Sequence, residues 1–290
     1  MNPAHNSEMG LSGLAGLSQL GGLVIDMDGV LWRGEEPIPG LEGFIRTLRR
    51  QQIRFVLATN NNTQTPAGFA AKAGALGTEV LPEEVLTATT ATIHYLHQQY
   101  PQGTALYVIG EKALKEQLES AGFILAERDV VAVVTALDRN LTYEMLKRAT
   151  FLINAGAAFI GANPDVVYPT PEGLAPGSGM VLAALQATTN RPPIIIGKPE
   201  IGMFQIALER MELPAARCAS LGDRLDTDIA GAQRAGLKSI LVLSGVTTPE
   251  VLAASAIQPD WVFPSIRELA YALESLSIRS VFSAGVRLPD

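Results

Sequence analysis

The amino-acid sequence predicts an α/β protein built on a doubly wound parallel sheet, with a second α/β module inserted into the first. Short apolar segments with strand character alternate along the 290 residues with helical patterns, as in parallel sheets that are covered by helices on both faces. Polar motifs directly follow four of the predicted strands. The two middle motifs, at Thr59 and Lys198, are 139 positions apart, far more than one crossover connection requires.

The first module is predicted in two parts that flank the insertion. Its elements, in chain order, are strand 22–26, helix 41–51, strand 53–58 and helix 65–76, and then strand 194–197, helix 200–210, strand 217–221, helix 228–235, strand 238–243 and a short strand near Trp261. The inserted module is predicted as helix 84–99, strand 104–109, helix 111–121, strand 130–135, helix 142–155, strand 157–160 and helix 177–188.

These elements predict the domain organisation. We expect two terminal tails, a core domain in two parts and one inserted domain, with the bounds 1–20 (flexible N-terminal tail), 21–79 (core), 80–190 (inserted domain), 191–277 (core) and 278–290 (C-terminal tail). A chain of this length fits two domains better than one.

Composition and charge exclude several classes of protein. A hydrophobic content of 47% with 18% charged residues is typical of an ordered globular protein, and no apolar stretch is long enough to span a membrane. The formal net charge of −7 and the lack of basic clusters argue against nucleic acid as a partner. The single cysteine excludes an intramolecular disulfide and favours a cytoplasmic location.

The first motif is the most informative. Asp26 and Asp28 end the predicted strand 22–26, and Gly29 follows them directly. Residues i and i+2 of an extended chain point to the same side, so both carboxylates can face one small volume. Like charges that close repel each other unless a cation or a shared proton separates them. Gly29 also leaves room for main-chain N–H groups to approach an anion, which indicates a site for a metal and a phosphate.

Three further motifs follow strands in the same way. They are Thr59-Asn60-Asn61, Gly197-Lys198-Pro199 and the acidic segment from Asp223 to Asp228. Open parallel sheets bind ligands at the carboxyl ends of their strands, so we expect the four motifs to converge on one crevice.

This order of motifs resembles the haloacid dehalogenase-like (HAD) superfamily, and within it the NagD-like, 4-nitrophenylphosphatase-like branch (class IIA). The resemblance extends from about Gly22 to about Leu276 and includes the insertion. It implies a Rossmann-like core whose crevice is covered by the inserted domain as a cap. It also implies a Mg2+-dependent phosphatase that acts on a small phosphorylated metabolite through an aspartyl-phosphate, and a homodimer.

The resemblance assigns the catalytic and metal-binding roles. Asp26 would be the nucleophile, and Asp28 would protonate the leaving oxygen and then deprotonate the attacking water. Asp223 would complete the Mg2+ site together with the Asp26 carboxylate and the main-chain carbonyl of Asp28. Gly29 and Asp228 would support the site, although Asp228 could instead cap the next helix.

Phosphate and substrate contacts are assigned to other residues. Thr59 would offer a hydroxyl, Asn60 an amide N–H, and Lys198 a positive charge, with Asn61 in the same loop. Candidate specificity residues lie in the segment 161–179 and are Asn163, Asp165 and Tyr168. An ordinary connecting loop is the alternative for that segment.

Other functions remain compatible with the motifs. A phosphotransferase or mutase would pass the phosphoryl group from the same aspartyl-phosphate to a second metabolite. A non-catalytic module would only bind a phosphorylated ligand or a partner. A halide-removing hydrolase on this fold would need neither Asp28 nor Asp223.

Overall fold

The structure is a computed structural model, and it describes residue 14 and residues 16–170 and 172–283. The predicted N-terminal tail therefore lies largely outside the described residues, and so does the end of the predicted C-terminal tail. The chain divides into two compact units, the first within residues 1–57, 73–80 and 207–290 and the second within residues 58–72 and 81–206. The predicted domain bounds differ from these and stay a prediction.

The strands and helices alternate through most of the chain. The strands are β1 (Gly22–Ile25), β2 (Trp32–Arg33), β3 (Glu36–Pro37), β4 (Arg54–Thr59), β5 (Val85–Thr87), β6 (Ala105–Ile109), β7 (Ile124–Leu125), β8 (Ala132–Thr135), β9 (Ala158–Gly161), β10 (Val167–Thr170), β11 (Gly173–Pro176), β12 (Ile194–Ile195), β13 (Cys218–Gly222), β14 (Lys238–Val242) and β15 (Trp261–Phe263). The helices are α1 (Leu41–Arg50), α2 (Pro66–Ala75), α3 (Ala88–Gln99), α4 (Lys112–Ser120), α5 (Tyr143–Asn154), α6 (Ser178–Thr189), α7 (Ile201–Met211), α8 (Ala230–Arg234), α9 (Pro249–Ala254) and α10 (Ile266–Ser283).

The first unit contains a parallel sheet with the strand order β15, β14, β13, β1 and β4. All residues of β1 and β13 are buried, as expected for strands that helices cover on both faces. Helix α1 places Leu41, Phe44, Ile45 and Leu48 on one buried face, a spacing typical of an amphipathic helix. It packs against α10, where the hydroxyl of Thr47 donates to Glu274 Oε1 at 2.7 Å.

The second unit contains its own parallel sheet, with the strand order β12, β9, β8, β6 and β7. Helices α5 and α6 pack on it, and the buried apolar core includes Tyr107, Val133, Ile153, Phe159 and Leu185. Strands β10 and β11 form a separate antiparallel hairpin. Two parallel sheets flanked by helices, one of them in the insertion, confirm the predicted α/β fold class.

Three local predictions were wrong. The predicted helix 84–99 begins only at Ala88, after a 3-10 turn (Pro82–Glu84) and strand β5, because Thr87 caps the helix by accepting from the N–H of Thr90 at 3.1 Å. Strand β12 was expected in the first module but pairs with β9 of the second unit. The hairpin of β10 and β11 lies in the predicted specificity segment 161–179, within which no strand was predicted.

The predicted helix 228–235 is also divided. A π-helical turn (Leu225–Ile229) precedes the short helix α8. Gly236, at φ 76°, follows that helix in the left-handed conformation that a C-terminal cap requires. Among the described residues, no helix combines the length and the apolar character that crossing a bilayer would require.

Candidate active site

Two neighbouring strands of the first unit end side by side and are followed by aspartates. The register pairs Ile25 of β1 with Leu221 of β13. Asp26 follows β1 and donates its main-chain N–H to the carbonyl of Leu221 at 2.8 Å, and Asp223 directly follows β13. Since the strands run in the same direction, the side chains beyond their carboxyl ends meet at one edge of the sheet.

The carboxylates of Asp26, Asp223 and Asp228 form a compact acidic group. Each offers one oxygen, and the three oxygens lie within 4.8 Å of one another. Asp223 and Asp228 are each only 1% exposed, whereas Asp26 is half-buried. Carboxylates this close and this well buried repel one another unless a cation or protons accompany them. Mg2+ prefers such oxygen donors, so the donor set fits the predicted metal.

Asp223 is held by the loop that follows β14. Its Oδ2 accepts from the N–H of Val246 at 2.6 Å, and its main-chain carbonyl accepts from the N–H of Thr247 at 3.1 Å. A Cβ atom on Gly245 would lie 1.8 Å from Asp223 Oδ2, and one on Gly29 would lie 2.4 Å from it. Only glycine therefore allows the carboxylate to lie against both loops.

The loop after β14 was not predicted from the sequence as part of the site. Ser244-Gly245-Val246-Thr247 follows β14 after one residue, and β14 belongs to the same parallel sheet as the strands that precede the Asp26 and Asp223 motifs. That position at the end of a strand was the signal that could have found it.

Asp228 is fixed by the turn that contains it. Its Oδ2 accepts from the N–H of Arg224 at 3.2 Å, and a Cβ atom on Gly222 would lie 2.2 Å from Asp228 Cβ. Asp226 instead forms an ion pair with Arg224 at 2.9 Å. Burial raises the pKa of the Asp226 carboxyl, but the hydrogen bond and the charge of Arg224 outweigh it, so that the pKa lies below its usual range. Asp226 is thus part of a structural pair.

The side chain of Asp28 is not part of the acidic group. The side chain is exposed, and its Oδ1 accepts from the indole N–H of the buried Trp32 at 3.1 Å. Gly29 next to it, at φ 83°, donates its N–H to the carbonyl of Trp32 at 2.7 Å. The hydroxyl of Ser244 donates to the carbonyl of Gly29 at 2.8 Å, so the loop after β14 is tied to the loop after β1.

The second unit holds Lys198 and Asn60 in a buried cluster. Lys198 is 3% exposed and Asn60 is 7% exposed. Asn60 Oδ1 accepts from the main-chain N–H of Lys198 at 2.8 Å, and Asn60 Nδ2 donates to the main-chain carbonyl of Lys198 at 2.9 Å. We call this pair of hydrogen bonds the Lys198 clamp.

Two candidate specificity residues support the clamp. Asn163 Nδ2 donates to the main-chain carbonyl of Asn60 at 2.8 Å, and Asp165 Oδ1 accepts from Asn60 Nδ2 at 3.3 Å. The N–H of Asp165 in turn donates to Asn163 Oδ1 at 3.1 Å. Tyr168 lies on β10, is half-buried, and pairs with Ala175.

The other phosphate-binding candidates lie at the end of β4 and directly after it. The hydroxyl oxygen of Thr59, a buried residue, accepts from the N–H of Asn61 at 3.0 Å. Asn61 Oδ1 accepts from the N–H of Thr63 at 2.9 Å and from its hydroxyl at 2.8 Å. The structure thus brings the predicted residues together in two clusters, one in each unit.

Comparisons with known proteins place the chain in a family. A model described as haloacid dehalogenase-like hydrolase matches residues 23–124, and one described as HAD-hydrolase-like matches residues 195–269. The chain is 38% identical over 245 residues to the dihydroxyacetone phosphatase of Corynebacterium glutamicum, which covers 84% of this chain and 89% of that protein.

Solved structures are similar over most of their length. The 4-nitrophenylphosphatase from Thermotoga maritima is 34% identical with a TM-score of 0.85, and the match covers 89% of this chain and 99% of that chain. The glycerol phosphate phosphatase from Mycobacterium tuberculosis, crystallised in complex with magnesium, is 32% identical with a TM-score of 0.79, covering 87% of this chain and 76% of that one.

The chain belongs to the haloacid dehalogenase-like hydrolase family. The predicted resemblance to the 4-nitrophenylphosphatase-like branch is confirmed, and so is the predicted class of enzyme, a phosphoric monoester hydrolase.

Proposed function

We propose that this chain hydrolyses a small-molecule phosphate monoester with Mg2+, in two steps, through an aspartyl-phosphate on Asp26. The observation that carries the proposal is the group of carboxylate oxygens from Asp26, Asp223 and Asp228 within 4.8 Å of one another. The names of the relatives support the reaction, since they are a dihydroxyacetone phosphatase and a glycerol phosphate phosphatase.

The first step forms a bond between a carboxylate oxygen of Asp26 and phosphorus, while the bond from phosphorus to the leaving oxygen breaks. Asp28 donates a proton to that oxygen, so that the product leaves as an alcohol. In the second step a water oxygen attacks the same phosphorus and Asp28 takes the water proton. The bond between phosphorus and the Asp26 oxygen breaks, so inorganic phosphate leaves and Asp26 returns to its carboxylate form.

Mg2+ fits the donor set of the acidic group. Asp26 and Asp223 would hold it with the main-chain carbonyl of Asp28, and Asp228 would support them. A divalent cation bound there neutralises charge on the phosphoryl oxygens. The M. tuberculosis relative crystallised with magnesium and also with calcium, which supports a divalent cation at this site.

Thr59, Asn60, Asn61 and Lys198 would bind the phosphoryl group. The Thr59 hydroxyl accepts from Asn61, and a hydroxyl that accepts one hydrogen bond can still donate its own hydrogen. Lys198 supplies a positive charge. That charge has to act locally, because the chain as a whole carries a net charge of −7.

The substrate we propose is a small phosphorylated metabolite, and three-carbon phosphates are the first to test because two relatives are named for them. A cytoplasmic location is supported by the single cysteine, which lies buried in β13. The homodimer and the specificity roles of Asn163, Asp165 and Tyr168 stay predictions.

Hydrolysis of 4-nitrophenyl phosphate by the purified chain tests the proposal. We expect phosphate release with Mg2+, its loss with a chelator, and a fall of at least roughly 10³-fold in Asp26→Asn. Asp226→Asn is the matched control, because Asp226 pairs with Arg224 outside the acidic group, and it should keep the wild-type rate. Turnover by Asp26→Asn at the wild-type rate would refute the nucleophile, and transfer to an added acceptor in place of phosphate release would indicate the phosphotransferase.

A further inference from the structure

Asn60 uses its side-chain amide on the main chain of one other residue. Its Oδ1 accepts from the N–H of Lys198 and its Nδ2 donates to the carbonyl of Lys198, at 2.8 and 2.9 Å. The Asn60 side chain thereby pairs with both the main-chain N–H and the main-chain carbonyl of Lys198, as the main chain of a neighbouring strand would. The second N–H of Nδ2 faces Asp165 Oδ1 at 3.3 Å. Both donors of the amide are therefore engaged inside the second unit.

The surroundings of the clamp leave it little freedom. A Cβ atom on Gly197 would lie 2.5 Å from Asn60 Oδ1 and 2.8 Å from the carbonyl of Ala162, so a side chain at that position would displace the amide. Asn163 Nδ2 donates to the carbonyl of Asn60 at 2.8 Å and fixes the main chain on the other side. The clamp is thus held by residues from three segments of the unit.

We propose that the Asn60 side chain is a positioning residue for Lys198 and makes no contact with the phosphate itself. This inference rests on the proposed function, in which Lys198 binds the phosphoryl group. A lysine has a flexible four-carbon stem, and the position of its charge depends on where its main chain is fixed. A displacement of about 1 Å in a positioning group can cost a hundredfold in rate. Asn60 can still offer its main-chain N–H to the phosphate.

A double-mutant cycle tests the proposal, with two readouts: kcat/KM for 4-nitrophenyl phosphate and the inhibition constant of inorganic phosphate. Asn60→Ala alone should lower kcat/KM by roughly 10- to 100-fold and weaken phosphate inhibition. Lys198→Ala alone should cost at least as much. In the Lys198→Ala background, Asn60→Ala should cost no more than about twofold, because the charge that it positions is already gone.

The inference would be overturned if the losses caused by Asn60→Ala and by Lys198→Ala were independent of each other. If the two substitutions multiply in both readouts, the Asn60 side chain binds phosphate directly. If Asn60→Ala lowers the melting temperature but leaves kcat/KM and phosphate inhibition unchanged, its role is only structural. Thr135→Val is the matched control, since it removes one buried hydrogen bond of the same unit, from Thr135 Oγ1 to the carbonyl of Ile160 at 3.2 Å, and should leave both readouts unchanged.

Two further variants keep the test decisive if Asn60→Ala fails to fold. Asn60→Asp keeps the shape and the acceptor for the Lys198 N–H, but it loses both donors and faces Asp165 with a second negative charge. Gly197→Ala keeps the amide and displaces it. Both should weaken phosphate inhibition, and wild-type inhibition in both would contradict the proposal. A wild-type chain that hydrolyses no phosphate ester would refute the proposed function instead, which separates the two failures.

Discussion

The acidic group and the Lys198 clamp fix charged residues by opposite means. In the acidic group, main-chain N–H groups hold the side chains: Val246 donates to Asp223, and Arg224 donates to Asp228. In the clamp, the side chain of Asn60 holds the main chain of Lys198. The difference follows from the chemistry of the two charges. A carboxylate is an acceptor that main-chain donors can hold directly, whereas an ammonium on a long stem has only donors.

The two regions share one sensitivity and differ in another. A methyl group should displace a holding contact in both, at Gly245 in the acidic group and at Gly197 in the clamp. A change of functional group removes a carboxylate itself in the acidic group, whereas at Asn60 it acts only through the main chain of Lys198. The predictions below test this contrast, from the largest expected effect to the smallest.

Among these substitutions, removal of the Lys198 charge should have the largest effect on activity. Lys198→Met keeps the length of the stem and should lower kcat/KM for 4-nitrophenyl phosphate by roughly 10²- to 10³-fold, as the loss of one charged contact in a reaction site does. Lys198→Arg should recover little of this loss, because a planar guanidinium does not place its charge where a compact ammonium does. Steady-state kinetics check both, and full activity in Lys198→Arg would show that only the sign of the charge matters.

A methyl group at Gly245 should disable the acidic group. Gly245→Ala would place Cβ 1.8 Å from Asp223 Oδ2, so the carboxylate must leave the N–H of Val246. We expect a loss of about 100-fold in kcat/KM and a loss of about 1–3 kcal/mol in the free energy of unfolding. Weaker binding of Mg2+ in calorimetry would separate displacement of the ligand from general destabilisation.

The control is a glycine with open space around it. A Cβ atom on Gly74, an exposed residue in α2, would meet no atom within 4 Å. Gly74→Ala should leave activity unchanged and stabilise the chain by up to about 1 kcal/mol, because alanine favours helix more than glycine does. Equal losses in Gly74→Ala and Gly245→Ala would show that the close approach of Gly245 to Asp223 does not cause the loss.

The sequence predicted the acidic group better than the clamp, for a physical reason. Asp26 and Asp223 end strands that pair with each other, so position along the chain was enough to bring them together. The clamp depends on where β12 pairs, and two isoleucines fit either sheet equally well. No local pattern distinguishes an asparagine that binds a ligand from one that holds a distant main chain. The role of the Asn60 side chain therefore became visible only in three dimensions.

Substitution of Trp32 should affect mainly the protonation of the leaving oxygen. Its indole N–H donates to Asp28 Oδ1 at 3.1 Å, and Trp32→Phe removes this hydrogen bond while keeping an aromatic ring. An alkyl phosphate needs a proton on its leaving oxygen, whereas 4-nitrophenolate leaves without one. We expect kcat/KM to fall by about tenfold for glycerol phosphate and by less than about twofold for 4-nitrophenyl phosphate. Equal losses for both esters would show that Trp32 only supports packing.

Substitution of Asp260 should have the smallest effect, and this effect should be on stability alone. Like Asp223, it accepts from a main-chain N–H, that of Ser239 at 2.9 Å, but it precedes β15 and so lies at the beginning of a strand. It also forms an ion pair with Lys238 at 2.7 Å. Burial raises the pKa of Asp260, but these partners outweigh it and hold the pKa below its usual range.

A carboxyl whose pKa is lower in the folded state stabilises the fold at pH values above its unfolded pKa, and the contribution is lost as the pH falls through the folded pKa. Asp260→Asn should therefore cost about 1 kcal/mol at pH 7, and the cost should shrink as the pH falls through the lowered pKa of Asp260, with activity unchanged. Denaturant unfolding at pH 7 and at acid pH checks this. Glu212→Gln, which breaks an ion pair with Arg54 whose two side chains are 81% and 54% exposed, should change stability at neither pH. A loss in Asp260→Asn that persists in acid would mean that replacement of an acceptor oxygen by an amide nitrogen, and not loss of the charge of Asp260, accounts for the effect.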